Sequence, residues 1–384
     1  MKILHFVPSI DASLGITSKY ISVLCSGTGQ SAEVHIACGK SLDPIKINNA
    51  TVHFIPCDNK SYYSTRASWL KLLYEIMPDI VHVHGCWSYS AARILRLSKS
   101  RGFRTLLSPH GQLEPWIMKQ DLFKEKIPKI LAYQWRTVKS AFAIQVMGDI
   151  EYENIKSLKW NMRIVTVKSS LITSAITDKK MAEEMVSLYR KILDTKVYCL
   201  MNVQTKESFY KLLHAGLTGE RINKFPQIDY YSWRQMMIFA NNEGILNMFQ
   251  KGCALQPYAY PEIDVNAIST FCDKKSEEQQ HYNDITSIEE QIYKKIKLLY
   301  KGVFRYHLST KYLCELANMM RNNDYNEATL ANMLRRGKML KFTGRIEQIL
   351  NEITGLEEGF MPVTSVNDIL TYKIKKIYIR NLTI

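Results

Sequence analysis

Residues 78–85 read Pro-Asp-Ile-Val-His-Val-His-Gly, and residues 107–111 read Leu-Ser-Pro-His-Gly. Each is a short apolar or β-branched run that delivers a histidine to a glycine turn. Strands buried inside a parallel sheet read as continuous apolar runs of this kind. Open parallel sheets take their ligands beyond the C-terminal ends of their strands. Two such runs, with the helix-like segment Tyr89–Ser100 between them, constrain the chain to an α/β fold. They also place imidazoles at the strand tips, where they can donate, accept or carry protons near neutral pH.

The same rhythm runs through the first half. Ile3–Val7, Glu33–Ala37, Val52–Ile55, Ile80–Val83, Arg104–Leu107, Ala143–Met147 and Arg163–Val167 read as strands separated by helical crossovers. Beyond about residue 170 the texture changes. Asp178–Asp194 carries Met181, Met185, Leu188, Tyr189 and Ile192 near helical spacing, and most later segments follow the same period. Residues 255–285, with Pro257, Pro261 and the polar run Asp273–His281, read as loop. The expected architecture is a Rossmann-like parallel-sheet domain over residues 1–172. A mainly α-helical domain without a second Rossmann domain is expected over residues 173–384.

The chain carries a net charge of +15, and the larger part of the surplus falls in its first half. That favours anionic partners such as phosphorylated small molecules or lipid headgroups. No zinc-finger spacing or RNA-binding aromatic signature accompanies it, so nucleic acid is not expected. The eight cysteines are scattered without a C-x-x-C pair, which predicts free thiols and no metal site. There is no apolar run long enough to span a membrane. The opening run stops at Pro8, so it reads as a first strand rather than a signal peptide. A soluble, cytoplasmic protein is the expectation.

The ordered motifs resemble the N-terminal half of family 4 glycosyltransferases, which are retaining GT-B enzymes that use nucleotide sugars. The resemblance rests on a first strand ending in Val7-Pro8-Ser9, a glycine loop, residues 78–85, residues 108–116 (Ser-Pro-His-Gly-Gln-Leu-Glu-Pro-Trp), a basic helix and Glu151. It covers roughly residues 1–172. It implies that His110 is the catalytic-site histidine, contacting the transferred sugar or stabilising charge as the glycosidic bond breaks. It also implies that His84, Gly85, Gly111, Trp116 and Glu151 line the acceptor side, with Trp116 able to stack on a sugar face. Gly15 and Thr17 would form the donor-phosphate loop, although Leu14 stands where the family commonly has a first glycine. His82 is read as a structural histidine facing away from His84.

Residues 117–142 mix Lys119, Lys124, Lys126 and Lys129 with Ile117, Leu122, Phe123, Ile127, Ile130, Leu131 and Trp135. This pattern suits either a membrane-facing basic surface or a solvated helix packed on its own domain. Pro128 is expected to kink or split it. No cofactor is expected: a nucleotide sugar would be a substrate, and the partner a glycan or lipid-linked acceptor in bacterial surface-glycan synthesis. The site would then lie at the inner face of the plasma membrane. Past residue 170, no two glutamates stand eight apart, and Gly344-Arg345 is the only Gly-Arg pair. The donor-side pattern of the family is thus not legible there. The alternative expectation is an acceptor-binding or scaffold subunit that recruits a partner protein through its helical half.

Overall fold

The computed structural model describes residues 1–14, 16–57, 62–195, 197–257, 260–271, 287–305 and 309–381. The polar run Asp273–His281 therefore lies outside the described residues. The chain forms two compact units, Met1–Leu193 and Asp194–Ile384.

In the first unit, seven strands form one sheet: β1 (Lys2–Val7), β2 (Glu33–Cys38), β3 (Thr51–Phe54), β4 (Ile80–His84), β5 (Arg104–Ser108), β6 (Ala143–Val146) and β7 (Ile164–Thr166). Every pairing is parallel, in the order β3-β2-β1-β4-β5-β6-β7. This is the Rossmann-like α/β class expected from the sequence. The order reverses between β1 and β4, the switch point at which doubly wound sheets open a crevice.

The two faces of the sheet are chemically different. One carries Leu4, Phe6, Val81, Val83, Leu107, Ile144 and Val146, packed against Trp69, Leu73, Ile94 and Leu95 of helices Tyr62–Ile76 and Tyr89–Ser100. The other carries polar side chains, because the two-residue period of a strand sends alternate residues there. His5 pairs in register with His82, and His84 with Ser108. All four are essentially inaccessible to solvent.

The helix Asp178–Thr195 buries Met181, Met185, Leu188, Tyr189 and Ile192. Tyr189 bonds to His82, so this helix covers the histidine face. The first unit therefore runs to Leu193, past the boundary expected at residue 172. An apolar stripe shows that a helix is covered but not which element covers it.

Between β5 and β6 the expected long helix is broken into short pieces. Pro115–Lys119 is α-helical, Leu122–Lys126 and Ile130–Gln134 are π-helical, and Ile127–Lys129 and Trp135–Ser140 return to α. The backbone leaves helical geometry at Gln120 and Asp121; around Pro128, which has no amide hydrogen to give, it stays helical while the ladder alternates between π and α.

Among the described residues the second unit is helical without strands, as expected. Its core joins Phe209, Phe249, Ile292, Leu313, Leu334 and Ile349. Helices Val203–Thr218 and Leu246–Ala254 cross at Gly216 and Gly252. A Cβ on either glycine would meet a carbonyl oxygen of the other helix at under 2 Å, 1.9 and 1.8 Å respectively.

Candidate functional site

A line of imidazoles runs from His5, inside β1, to the tips of β4 and β5. His5 Nδ1 lies 2.9 Å from His84 Nε2, and His84 Nδ1 lies 2.9 Å from His110 Nε2. His5 and His84 are buried, whereas His110 is half-buried at the end of the line. Burial drives the His5 pKa down to about 3 and that of His110 to about 4. His82 and His84 fall well below the usual value too, from burial first and the neighbouring imidazoles second. At neutral pH the whole line is uncharged.

The turn carrying His110 is held by backbone geometry and one carboxylate. His110 and Gly111 both adopt left-handed φ values, 55° and 74°. Glycine takes this conformation freely, whereas a histidine there is constrained by its surroundings. Glu151 supplies the constraint. Its Oε1 accepts from the Gly111 amide at 2.7 Å, and its Oε2 from the Met147 amide at 2.8 Å. Burial raises the Glu151 pKa, and these two amides oppose that rise. On the neighbouring tip, the Gly85 amide donates to the Ser108 carbonyl at 2.8 Å.

His82 belongs to a second, separately anchored chain. Gln145 Nε2 donates to the carbonyls of Val146 and Val167, which leaves Gln145 Oε1 to accept from the Ser108 hydroxyl. With its only proton committed, Ser108 Oγ accepts from His82 Nε2 at 2.7 Å. His82 Nδ1 therefore accepts from the Tyr189 hydroxyl at 2.8 Å. Two backbone carbonyls thus set the His82 tautomer, and His82 is structural.

His82 does not face away from His84. The two stand two apart on β4 and share one face, with ring centroids 4.0 Å apart.

His5, His82 and His84 each place a ring nitrogen within 4.8 Å of the others, and neutral imidazoles are metal ligands. Both nitrogens of His82 and of His84 are already hydrogen-bonded, however, and only His5 Nε2 is left open. The trio contains no anionic ligand to offset a buried cation. These residues fit a hydrogen-bonded network better than a metal.

The other expected site residues fall into three groups. His84, Gly85, His110, Gly111 and Glu151 do come together at the tips of β4 and β5. His84, however, faces the interior as the middle of the imidazole line, and Glu151 is consumed in pinning the turn, so neither lines an acceptor surface. Trp116 lies close after this turn in sequence and is 62% exposed, free to meet a ligand.

Thr17 is half-buried at the start of helix Ile16–Thr28, and Gly15 lies outside the described residues. The loop before them is organised by Asp11. Asp11 accepts from the Ser13 amide, the Ser41 hydroxyl and the amides of Leu42 and Asp43. These bonds, Ser13 first, hold its carboxyl well below the usual range.

Of the expected membrane-facing lysines, Lys119 and Lys124 are exposed. Lys126 is buried, with its ammonium 4.6 Å from the Trp87 ring centroid, and Lys129 pairs with Glu125. Gln120, extended, and Asp121, left-handed, separate Lys119 from the helical turns that carry these two residues.

Sequence reasoning missed His5, Ser108, Gln145 and Tyr189. The available signal was a histidine inside the otherwise apolar strand Ile3–Val7, which marks a polar partner on the same sheet face.

No family model matches this chain, and no curated protein matches it. Among similar solved structures is a Listeria monocytogenes protein assigned as a UDP-N-acetylglucosamine 2-epimerase. It is 10% identical with a TM-score of 0.33, over 64% of this chain and 66% of that one, just under two thirds of its length. Another is the UDP-GlcNAc 2-epimerase of Methanocaldococcus jannaschii, 13% identical with a TM-score of 0.32, over 69% and 74% of the two chains. At such scores the likeness carries no argument, and the fold assignment rests on the strand order.

Proposed function

We propose that this chain is a glycosyltransferase-type protein that handles a sugar, delivered by a nucleotide sugar, at the tips of β1, β4 and β5. The observation that carries the reading is the His110–Gly111 turn. It is held at the ligand-binding edge of a parallel sheet by a carboxylate spent on nothing else, beside the switch point.

In this reading His110 bonds an oxygen of the transferred sugar or its phosphate. It is neutral, so it stabilises developing charge as a hydrogen-bonding dipole and not as a cation. Gly111 lets the ligand approach the backbone closely, and Trp116 offers an aromatic face to a sugar ring. Where the acceptor is lipid-linked, Lys119 and Lys124, with the exposed Trp116 and Phe123, are the groups suited to meet anionic headgroups at the inner membrane face.

A second reading is favoured by the helical second unit, in which the described residues form no sheet for a nucleotide. In it the chain is the acceptor side of a two-chain enzyme, and a partner supplies the donor site.

The test uses purified full chain and a panel of UDP-, GDP- and dTDP-sugars. Saturation-transfer NMR reads binding, and release of nucleotide reads turnover. Wild type is expected to bind at least one sugar nucleotide or its glycan acceptor, with His110→Ala at least about tenfold weaker, the loss of one good hydrogen bond to a ligand. Equal binding by both removes His110 from the site. Turnover that appears only with a co-purified chain selects the second reading.

A further inference from the structure

The imidazole line has a direction, and the direction determines what His110 offers a ligand. The rings of His5 and His84 are 13° from parallel with centroids 5.2 Å apart, and those of His84 and His110 are 11° from parallel at 5.1 Å. With facing nitrogens only 2.9 Å apart in both pairs, the rings meet edge to edge, as in-plane N–H···N bonds require. His82 and His84, at 4.0 Å, show the closer approach of overlapping faces.

A neutral imidazole has one N–H and one lone pair. Three of them in line must therefore all donate outward, from His5 toward His110, or all donate inward. The choice falls at the inner end. His5 Nε2 is buried and has no hydrogen-bond partner among the described residues. Inward donation would leave an unpaired N–H there, and outward donation only an unpaired lone pair. Buried orphan N–H groups are the rarer and costlier case. The neighbouring chain through His82 does not interfere, because Gln145 and two carbonyls set its polarity independently.

We infer that His84 is a positioning residue: it donates its Nδ1–H to His110 Nε2 and so holds neutral His110 in the Nδ1–H tautomer, a hydrogen-bond donor toward ligand oxygen. The inference rests on the reading of His110 as the ligand-facing group, and it deepens that reading. The site is built to meet an acceptor atom, such as a phosphate oxygen or a sugar oxygen lone pair. It is not built to remove a proton from a hydroxyl. Because neutral histidine in water favours the Nε2–H form, the assignment is a departure that can be measured.

The experiment is long-range 1H–15N correlation NMR of the full, ligand-free chain carrying 15N-histidine, near pH 7, with the His110 signals assigned by their loss in His110→Gln. Wild type is expected to carry the His110 proton on Nδ1. In His84→Phe, which offers neither donor nor acceptor, His110 Nε2 is expected to lose its hydrogen bond, and its 15N signal to move downfield toward that of a free lone pair. In His84→Gln, whose side-chain amide can still donate, the Nε2 signal is expected to stay near its wild-type position and the proton on Nδ1. A His110 proton on Nε2 in wild type overturns the inference, and this measurement decides even where His84→Phe does not fold. An unchanged Nε2 signal in folded His84→Phe also overturns it, since it would mean that His84 donates nothing there. Since no sugar is present, a failure to bind nucleotide sugars counts against the proposed function alone.

Discussion

The two units bury polar side chains by opposite rules. The sheet unit hides His5, His82 and His84 in hydrogen-bonded lines, where His82 and His84 each donate to one neighbour and accept from another. The helical unit hides a carboxylic acid. Glu347, in helix Leu340–Thr354, is wholly buried, and neither of its oxygens is hydrogen-bonded. Burial pushes its pKa up to about 8, against a small opposing effect of the Val363 backbone.

The two units should therefore respond to pH with opposite sign. Histidines with depressed pKa values bind fewer protons when folded than when unfolded. Their contribution is complete above the unfolded value of 6.5 and is lost as pH falls. A carboxyl with a raised pKa binds more protons when folded. Its contribution is complete below the unfolded value of 4.5 and is lost as pH rises toward about 8.

Acidification is the strongest way to break this contrast. Between pH 6.5 and 4, His5 alone should cost the sheet unit on the order of 3 kcal/mol, at about 1.4 kcal/mol per pH unit. His82 and His84 add to that. Hydrogen exchange should show β1 and β4 peptides losing protection before those of Leu340–Thr354. Simultaneous loss in both units would mean that the histidines do not govern acid stability.

Glu347→Met tests the other limb. At pH 8 the replacement should raise resistance to urea by about 3 kcal/mol and flatten the decline from pH 5 to 8. A variant that keeps the wild-type slope would show that another group carries it.

Ser108→Ala is expected to have a smaller effect, about 2 kcal/mol of destabilisation, because it leaves His82 Nε2–H and Gln145 Oε1 buried and unpaired. Urea titration at pH 7 reads it. A neutral result would mean that the two groups find each other once the hydroxyl is gone.

The sheet was legible because its strands are apolar runs punctuated by glycine, and the His110 turn because Pro109 and Gly111 bracket the ring. The network behind the turn was not. His5 sits between Leu4 and Phe6, and nothing local reveals that β1 and β4 pair with His5 opposite His82. The direction of His82 was legible in principle, since residues two apart on a strand share a face. Lys126 was misplaced for a different reason: the backbone leaves helical geometry at Gln120 and Asp121, so no single helical period joins it to Lys119. Glu347 was invisible because an acid on an amphipathic helix reads as a surface residue, and its burial is decided by elements distant in sequence.

Asp11 joins the segment after β1 to the one after β2 through a single side chain. Leu42 is held there by its amide while its side chain stands wholly in water. That corner is indifferent to what residue 42 displays and strict about its length and its hydrogen. Nearly any amino acid fits except proline. One inserted residue, by contrast, would unfasten two connections together and slacken the entrance to the first helix.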